Sequence, residues 1–122
     1  MSDPNFVLLY VTSPTQSAAF YADLLGKPAI EASPTFAMFA LDSGVMLGLW
    51  AAHTVQPPAQ VVGGSELAFA VDSPASVNAR HSAWVAKGLK VIQSPVAMDF
   101  GFTFTAQDPD GHRLRVFAPA RA

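Results

Sequence analysis

The side chains that could carry chemistry in this chain are few and scattered. It has no cysteine, which removes disulfides, thiolate metal sites and cysteine nucleophiles. Its three histidines do not converge: His53 lies in a Pro/Gly-containing stretch, His81 in a helix-like segment, and His112 one residue after a turn. Asp108 and Asp110, within Asp108-Pro109-Asp110-Gly111-His112, raise the question of calcium. The acidic run is too short, however, and lacks the later glutamate of an EF-hand loop, so the segment reads as a turn. There is no glycine-rich phosphate loop, no Ser/His/Asp ordering and no pair of carboxylates at matching strand positions. No catalytic residue is assigned, and Asp99 and His112 stay without a role. What remains is Glu66 and Arg115, an acid and a base in strand-like segments, and an unusual supply of aromatic and aliphatic side chains.

The elements that would position them come in two copies. Val11-Thr12-Ser13-Pro14 and Val71-Asp72-Ser73-Pro74 each close an apolar run, from 11 to 71 at an offset of 60 residues. Ser13 and Ser73 suit helix N-caps, Pro14 and Pro74 the first helical position, and Gln16 completes a capping box with Ser13. One helix is expected to end near Leu25, stopped by Gly26, with Ala18, Ala19, Tyr21, Leu24 and Leu25 as its apolar stripe. The other should end near Lys87, stopped by Gly88, with Val77, Ala79, Trp84 and Val85 buried. Three strand-like runs follow each: about 29–31, 35–41 and 45–50, then 90–93, 102–107 and 113–117. Asp42-Ser43-Gly44 and the Asp108 to Gly111 turn join the last two strands of each set.

The prediction is therefore an α+β fold of two β-α-β-β-β modules, about 5–51 and 65–118, joined by a linker of about 52–64. They form one domain spanning residues 1–122, since 122 residues suit a single core. A module of about 55 residues with a one-sided sheet leaves an apolar face exposed. The modules are thus expected to pair, within a chain or between two chains, into a curved eight-stranded mixed sheet around a cavity.

This chain resembles the glyoxalase/bleomycin-resistance group, also called the vicinal oxygen chelate superfamily, along its whole length. The residues that carry the likeness are Ala19-Phe20-Tyr21-Ala22-Asp23-Leu24-Leu25-Gly26, Leu67-Ala68-Phe69-Ala70-Val71 and Asp108-Pro109-Asp110-Gly111-His112. The resemblance implies that enzyme members hold a divalent metal with four His, Gln or Glu side chains, from the first and last strand of each half. The corresponding positions here are Phe6 and Gly48, then Glu66 and Arg115. Only Glu66 is a possible ligand, and Arg115 puts a fixed positive charge where a cation would sit. No metal and no other cofactor is expected.

Strand alternation then divides the faces. Val7, Leu9, Val11, Val45, Leu47, Leu49, Leu67, Phe69, Val71, Leu114 and Val116 face the helices. The cavity side takes Phe6, Leu8, Tyr10, Met46, Gly48, Trp50, Glu66, Ala68, Ala70, Arg113, Arg115 and Phe117. Aromatic rings, an expected gap at Gly48 and the acid and base Glu66 and Arg115 suit a flat ligand oriented by a few polar contacts. Two alternatives stay open here. Trp50 and Tyr10 serve a ligand, or else a core or dimer interface; Arg115 holds a ligand carboxylate, or else pairs with Glu66. Phe100, Phe102 and Phe104 form either a wall of the site or sheet core.

The expected function is binding or sequestration of an apolar or aromatic small molecule, as in the bleomycin- and phenazine-resistance proteins this chain is similar to, by a homodimer. The ligand-binding set is Phe6, Leu8, Tyr10, Met46, Gly48, Trp50, Glu66 and Arg115. The alternatives are a lyase, isomerase or dioxygenase using Glu66 as base or a metal held in an unexpected way, and a subunit or regulator with no small ligand. A formal charge of -2 without Lys/Arg clusters argues against nucleic-acid partners. No run reaches about 18 apolar residues and the start lacks a signal-peptide pattern, so no membrane partner and a cytoplasmic location are expected.

Overall fold

In the computed structural model, which describes residues 4–61 and 64–120, the chain divides into two compact units, Met1–Val62 and Gly63–Ala122. The first contains β1 (Phe6–Val11), α1 (Pro14–Leu25), β2 (Glu31–Ala32), β3 (Phe36–Ala40) and β4 (Met46–Ala51), then a single 3-10 turn at Ala52–Thr54. The second contains β5 (Glu66–Ala70), α2 (Pro74–Ala86), β6 (Lys90–Met98), β7 (Gly101–Gln107) and β8 (Arg113–Pro119). Positions 62 and 63 of the expected linker lie outside the described residues. No helix among the described residues is long and apolar enough to cross a membrane.

Each unit is a mixed four-stranded sheet with its first strand at one edge, in the orders β1-β4-β3-β2 and β5-β8-β7-β6. The first strand runs parallel to the last, and the remaining pairs are antiparallel. The eight expected strands are all present, grouped by hydrogen bonding as two sheets.

Both helices begin as their sequences dictate. Ser13 Oγ accepts the Gln16 N–H at 3.2 Å and Ser73 Oγ accepts the Ser76 N–H at 3.1 Å, with proline opening each helix. Gly26, at φ +71°, ends α1 in the left-handed region and donates its N–H to Ala22 O at 3.0 Å. The buried stripes differ in part from the expected ones. On α1, Pro14, Ser17 and Tyr21 are buried, and Ala19 is exposed. On α2, Val77 and Trp84 are buried with His81 half-buried between them, so the inward face follows 77, 81 and 84. Ala79 and Val85 lie off that stripe, and Val85 is 52% exposed.

Strand β6 runs five residues past its expected end at Gln93. Pro95 cannot donate to a ladder, but β6 is an edge strand, where the missing N–H has no partner to lose. The register shifts between Val91 and Gln93 and again between Gln93 and Val96, so the strand passes the proline by bulging.

The helix-facing layers form the core: Val11, Ala37, Phe39, Leu47 and Leu49 with Tyr21 in the first unit, and Phe104, Ala106, Leu114 and Val116 with Val77 and Trp84 in the second. Phe104 is fully buried, with Trp84 and His81 edge-on to its ring at 5.3 and 5.2 Å. Phe104 is therefore sheet core, whereas Phe100 is 42% exposed at the β6–β7 turn.

Candidate functional site

In the first unit, the side of the sheet away from α1 is built by alternation along three strands. Phe6, Leu8 and Tyr10 of β1 stand in register with Met46, Gly48 and Trp50 of β4. Phe36, Met38 and Ala40 of β3 follow on the same face, opposite Trp50, Gly48 and Met46. The β1 side chains alternate in exposure, with Phe6, Leu8 and Tyr10 at 47, 43 and 43%. The Tyr10 and Trp50 rings meet edge to face at 6.2 Å and 83°.

The expected gap at Gly48 is filled. A Cβ there would lie 2.5 Å from Leu8 Cδ2 and 3.1–3.2 Å from two atoms of the Phe36 ring. Gly48 is buried because it is the floor on which Leu8 and Phe36 rest, and these two side chains present the surface above it. Sequence reasoning passed over Phe36 and Met38, although the alternation of Phe36, Met38 and Ala40 against buried Ala37 and Phe39 carries the signal.

In the second unit the corresponding face is polar at its centre. Glu66 opens β5 opposite Arg113, and Arg115 stands one pleat further along β8 opposite Ala68. The two meet diagonally: Arg115 Nε donates to Glu66 Oε1 at 2.5 Å and Nη2 to Oε2 at 3.5 Å. Of the two roles open for this pair, the ion pair is formed. Arg115 Nη1 also donates to Gln93 Oε1 at 3.1 Å and to Thr103 Oγ1 at 3.2 Å. Thr103 donates to Val116 O at 2.8 Å, and Gln93 Oε1 accepts a second bond from Thr105 Oγ1 at 3.1 Å. Gln93 Nε2 in turn faces Met98 Sδ at 3.6 Å. The Phe100 ring lies 5.7 Å from the guanidinium carbon and 6.2 Å from the Phe117 ring. Gln93, Thr103 and Thr105 were not singled out in the sequence.

These residues do not suit the divalent metal that the resemblance implies for enzyme members. Phe6 and Gly48 carry no donor side chain, and the Glu66 carboxylate is already gripped by Arg115, the occupant of the fourth position. Among the described residues, no group of three His, Cys, Asp or Glu side chains comes together. His53 sits on the 3-10 turn and His112 in the β7–β8 turn. Asp108 spends its carboxylate on that turn, its Oδ1 accepting the N–H groups of Asp110 and His112 at 2.9 and 2.8 Å.

With both faces described, the chain can be set beside known proteins. Residues 4–116 match the family model of the Glyoxalase/Bleomycin resistance protein/Dioxygenase superfamily. The phenazine antibiotic resistance protein EhpR of Enterobacter agglomerans is 28% identical over 116 residues, covering 93% of this chain and 89% of that protein. The solution NMR structure of protein ATC0852 from Agrobacterium tumefaciens is 51% identical, with TM-score 0.90, covering 99% of this chain and all of the other. A glyoxalase-related enzyme from Fulvimarina pelagi, at 22% identity and TM-score 0.82 over 97% of this chain and 88% of its own, shares the fold.

Proposed function

The chain belongs to the Glyoxalase/Bleomycin resistance protein/Dioxygenase superfamily, and from that premise we propose that it binds and sequesters a flat, apolar aromatic molecule without a metal ion. A phenazine-type antibiotic is the first candidate, a class suggested by the name of the EhpR relative. The observation that carries the reading is the first unit's sheet face, where Phe6, Leu8 and Tyr10 stand exposed in register with Met46 and Trp50. Rings and thioethers offer a flat ligand dispersion and edge-to-face contacts, and burying each Å² of apolar surface contributes roughly 25 cal/mol. Sequestration needs no bond making. It needs only affinity, which such a face supplies.

In this reading Phe6, Leu8, Tyr10, Met46 and Trp50 touch ligand on the first unit's face and Gly48 supports Leu8; Glu66 and Arg115 are the polar groups that the second unit's face offers. The protein acts as a cytoplasmic homodimer. An enzymatic role for Glu66 as base is less favoured, because its carboxylate is held in an ion pair with Arg115.

Titrating phenazine while following tryptophan fluorescence tests the reading. Binding at micromolar concentration is expected, weakened about tenfold or more by Trp50→Ala. No spectral change or heat of binding with any flat aromatic at high micromolar concentration would sink it.

A further inference from the structure

We propose that the first unit's sheet face prefers flat aromatic ligands that carry a positive charge, with Glu31 as the counter-charge at its β2 side. This inference rests on the aromatic-binding reading and deepens it by naming the ligand's charge and a residue that selects for it.

Strand register puts Glu31 on that face. Glu31 pairs with Met38, Met38 with Gly48, and Gly48 with Leu8. Paired residues of neighbouring strands point to the same side of a sheet, so these four form one row across all four strands. The alternate β3 residues, Ala37 and Phe39, are buried in the core with Tyr21 of α1, which leaves the row on the side away from the helix. Leu8 and the Phe36 ring cover Gly48. Two strand spacings of about 4.8 Å set the Glu31 backbone roughly 10 Å from that covered floor. A molecule of fused rings lying over Leu8 and Phe36 thus extends toward the carboxylate.

The electrostatics of this unit are one-sided. Phe6, Tyr10, Phe36, Met38, Met46 and Trp50 bring no charge to the face. Lys27 is the only Lys or Arg in the first 62 residues; the other six, from a total of seven, lie in the second unit. Lys27 is already committed, donating to Asp42 Oδ1 at 2.6 Å and to Ala40 O at 3.2 Å. Glu31 is exposed, and among the described residues its carboxylate has no hydrogen bond or ion pair. The π faces of Trp, Tyr and Phe attract a cation, and a carboxylate at the end of the same row acts in the same direction. A neutral aromatic gains from apolar burial and ring contacts alone.

The test is calorimetric titration of the whole protein, in the dark at neutral pH, with phenazine and 5-methylphenazinium, which share a ring system and differ in a fixed charge. The cation is expected to bind about fivefold more tightly. Glu31→Gln should lower that ratio about threefold and Glu31→Lys about tenfold, the latter reversing the preference. Asp23→Asn removes the same charge from α1, on the other side of the sheet, and should move the ratio by less than about twofold. Preference of the wild type for phenazine, a ratio unmoved by both Glu31 substitutions, or an equal shift in Asp23→Asn overturns the inference, while phenazine binding keeps the aromatic reading. Failure of both compounds to bind removes the two together.

Discussion

The two units place the same layer against their helices but distribute its volume in opposite order. In the first, β3 offers Ala37 and Phe39 to the core; 67 residues later, β7 offers Phe104 and Ala106. The register partners correspond, with Leu49 and Leu47 in one unit and Val116 and Leu114 in the other. All eight side chains are buried. A large and a small residue have changed places along the strand while the apolar volume of the layer is kept, the kind of exchange cores tolerate. The opposite face shows a second inversion: Leu8 stands opposite Gly48, whereas Ala68 stands opposite Arg115. In each pair one partner is small, and in the first Leu8 lies across it. Packing volume constrains both faces, but chemistry has diverged only on the face away from the helices, apolar and aromatic in one unit and ion-paired in the other.

The comparison breaks most readily in the core. Phe104→Ala is expected to lower the unfolding free energy by about 3–5 kcal/mol in chemical denaturation, because Trp84 and His81 are held by their own elements and cannot close the void. A loss below about 1 kcal/mol would mean that the layer relaxes freely and that the swapped pattern carries no packing information. The size inversion on the outer face is sharpened by Gly48→Ala, expected to cost about 1–3 kcal/mol as the new methyl meets Leu8 and Phe36. Adding Leu8→Ala should recover much of that loss, so the two substitutions should be non-additive in a double-mutant cycle. Strict additivity would contradict the role given to Gly48.

The smallest effect belongs to the Lys27–Asp42 ion pair at 2.6 Å, which ties the end of α1 to the β3–β4 turn of the first unit. The hydrogen bond from Lys27, and then its charge, hold the Asp42 carboxyl below its ordinary 3.8. Because the folded value is the lower one, the stabilisation is complete above pH 3.8 and disappears as pH falls through the folded value. Following Asp42 by NMR, Lys27→Ala should return its titration to the ordinary range. The change in overall stability should be slight, since the pair is exposed.

Most of this architecture was written in the chain. The Ser-Pro pairs at 13–14 and 73–74 fixed both helix starts, and period-two alternation identified which residues of β1, β4, β5 and β8 share a face. Side-chain contacts across strands were less legible. Nothing local says that Phe36 reaches over Gly48, because that approach depends on the β3–β4 register. Gln93 was hidden for a different reason: it falls within the expected strand, but the register shift between Val91 and Gln93 sets it opposite Thr105, on the face where its amide meets Arg115. The pairing of Glu66 with Arg115 was one of two open roles, since composition alone does not say whether a carboxylate or a ligand will occupy a guanidinium.

In both units the opening strand lies at the sheet's outer edge and hydrogen-bonds to the strand made last. During synthesis, Phe6–Val11 leaves the ribosome with no partner until Met46–Ala51 has followed, and Glu66–Ala70 waits likewise for Arg113–Pro119. Neither sheet can be completed stepwise from its beginning, so each unit closes only when its whole length is free, and such distant parallel pairing is intrinsically slow. The half made first has all its strands while the other is still being translated, and the exposed Phe6, Leu8 and Tyr10 of β1 face the surroundings during that interval.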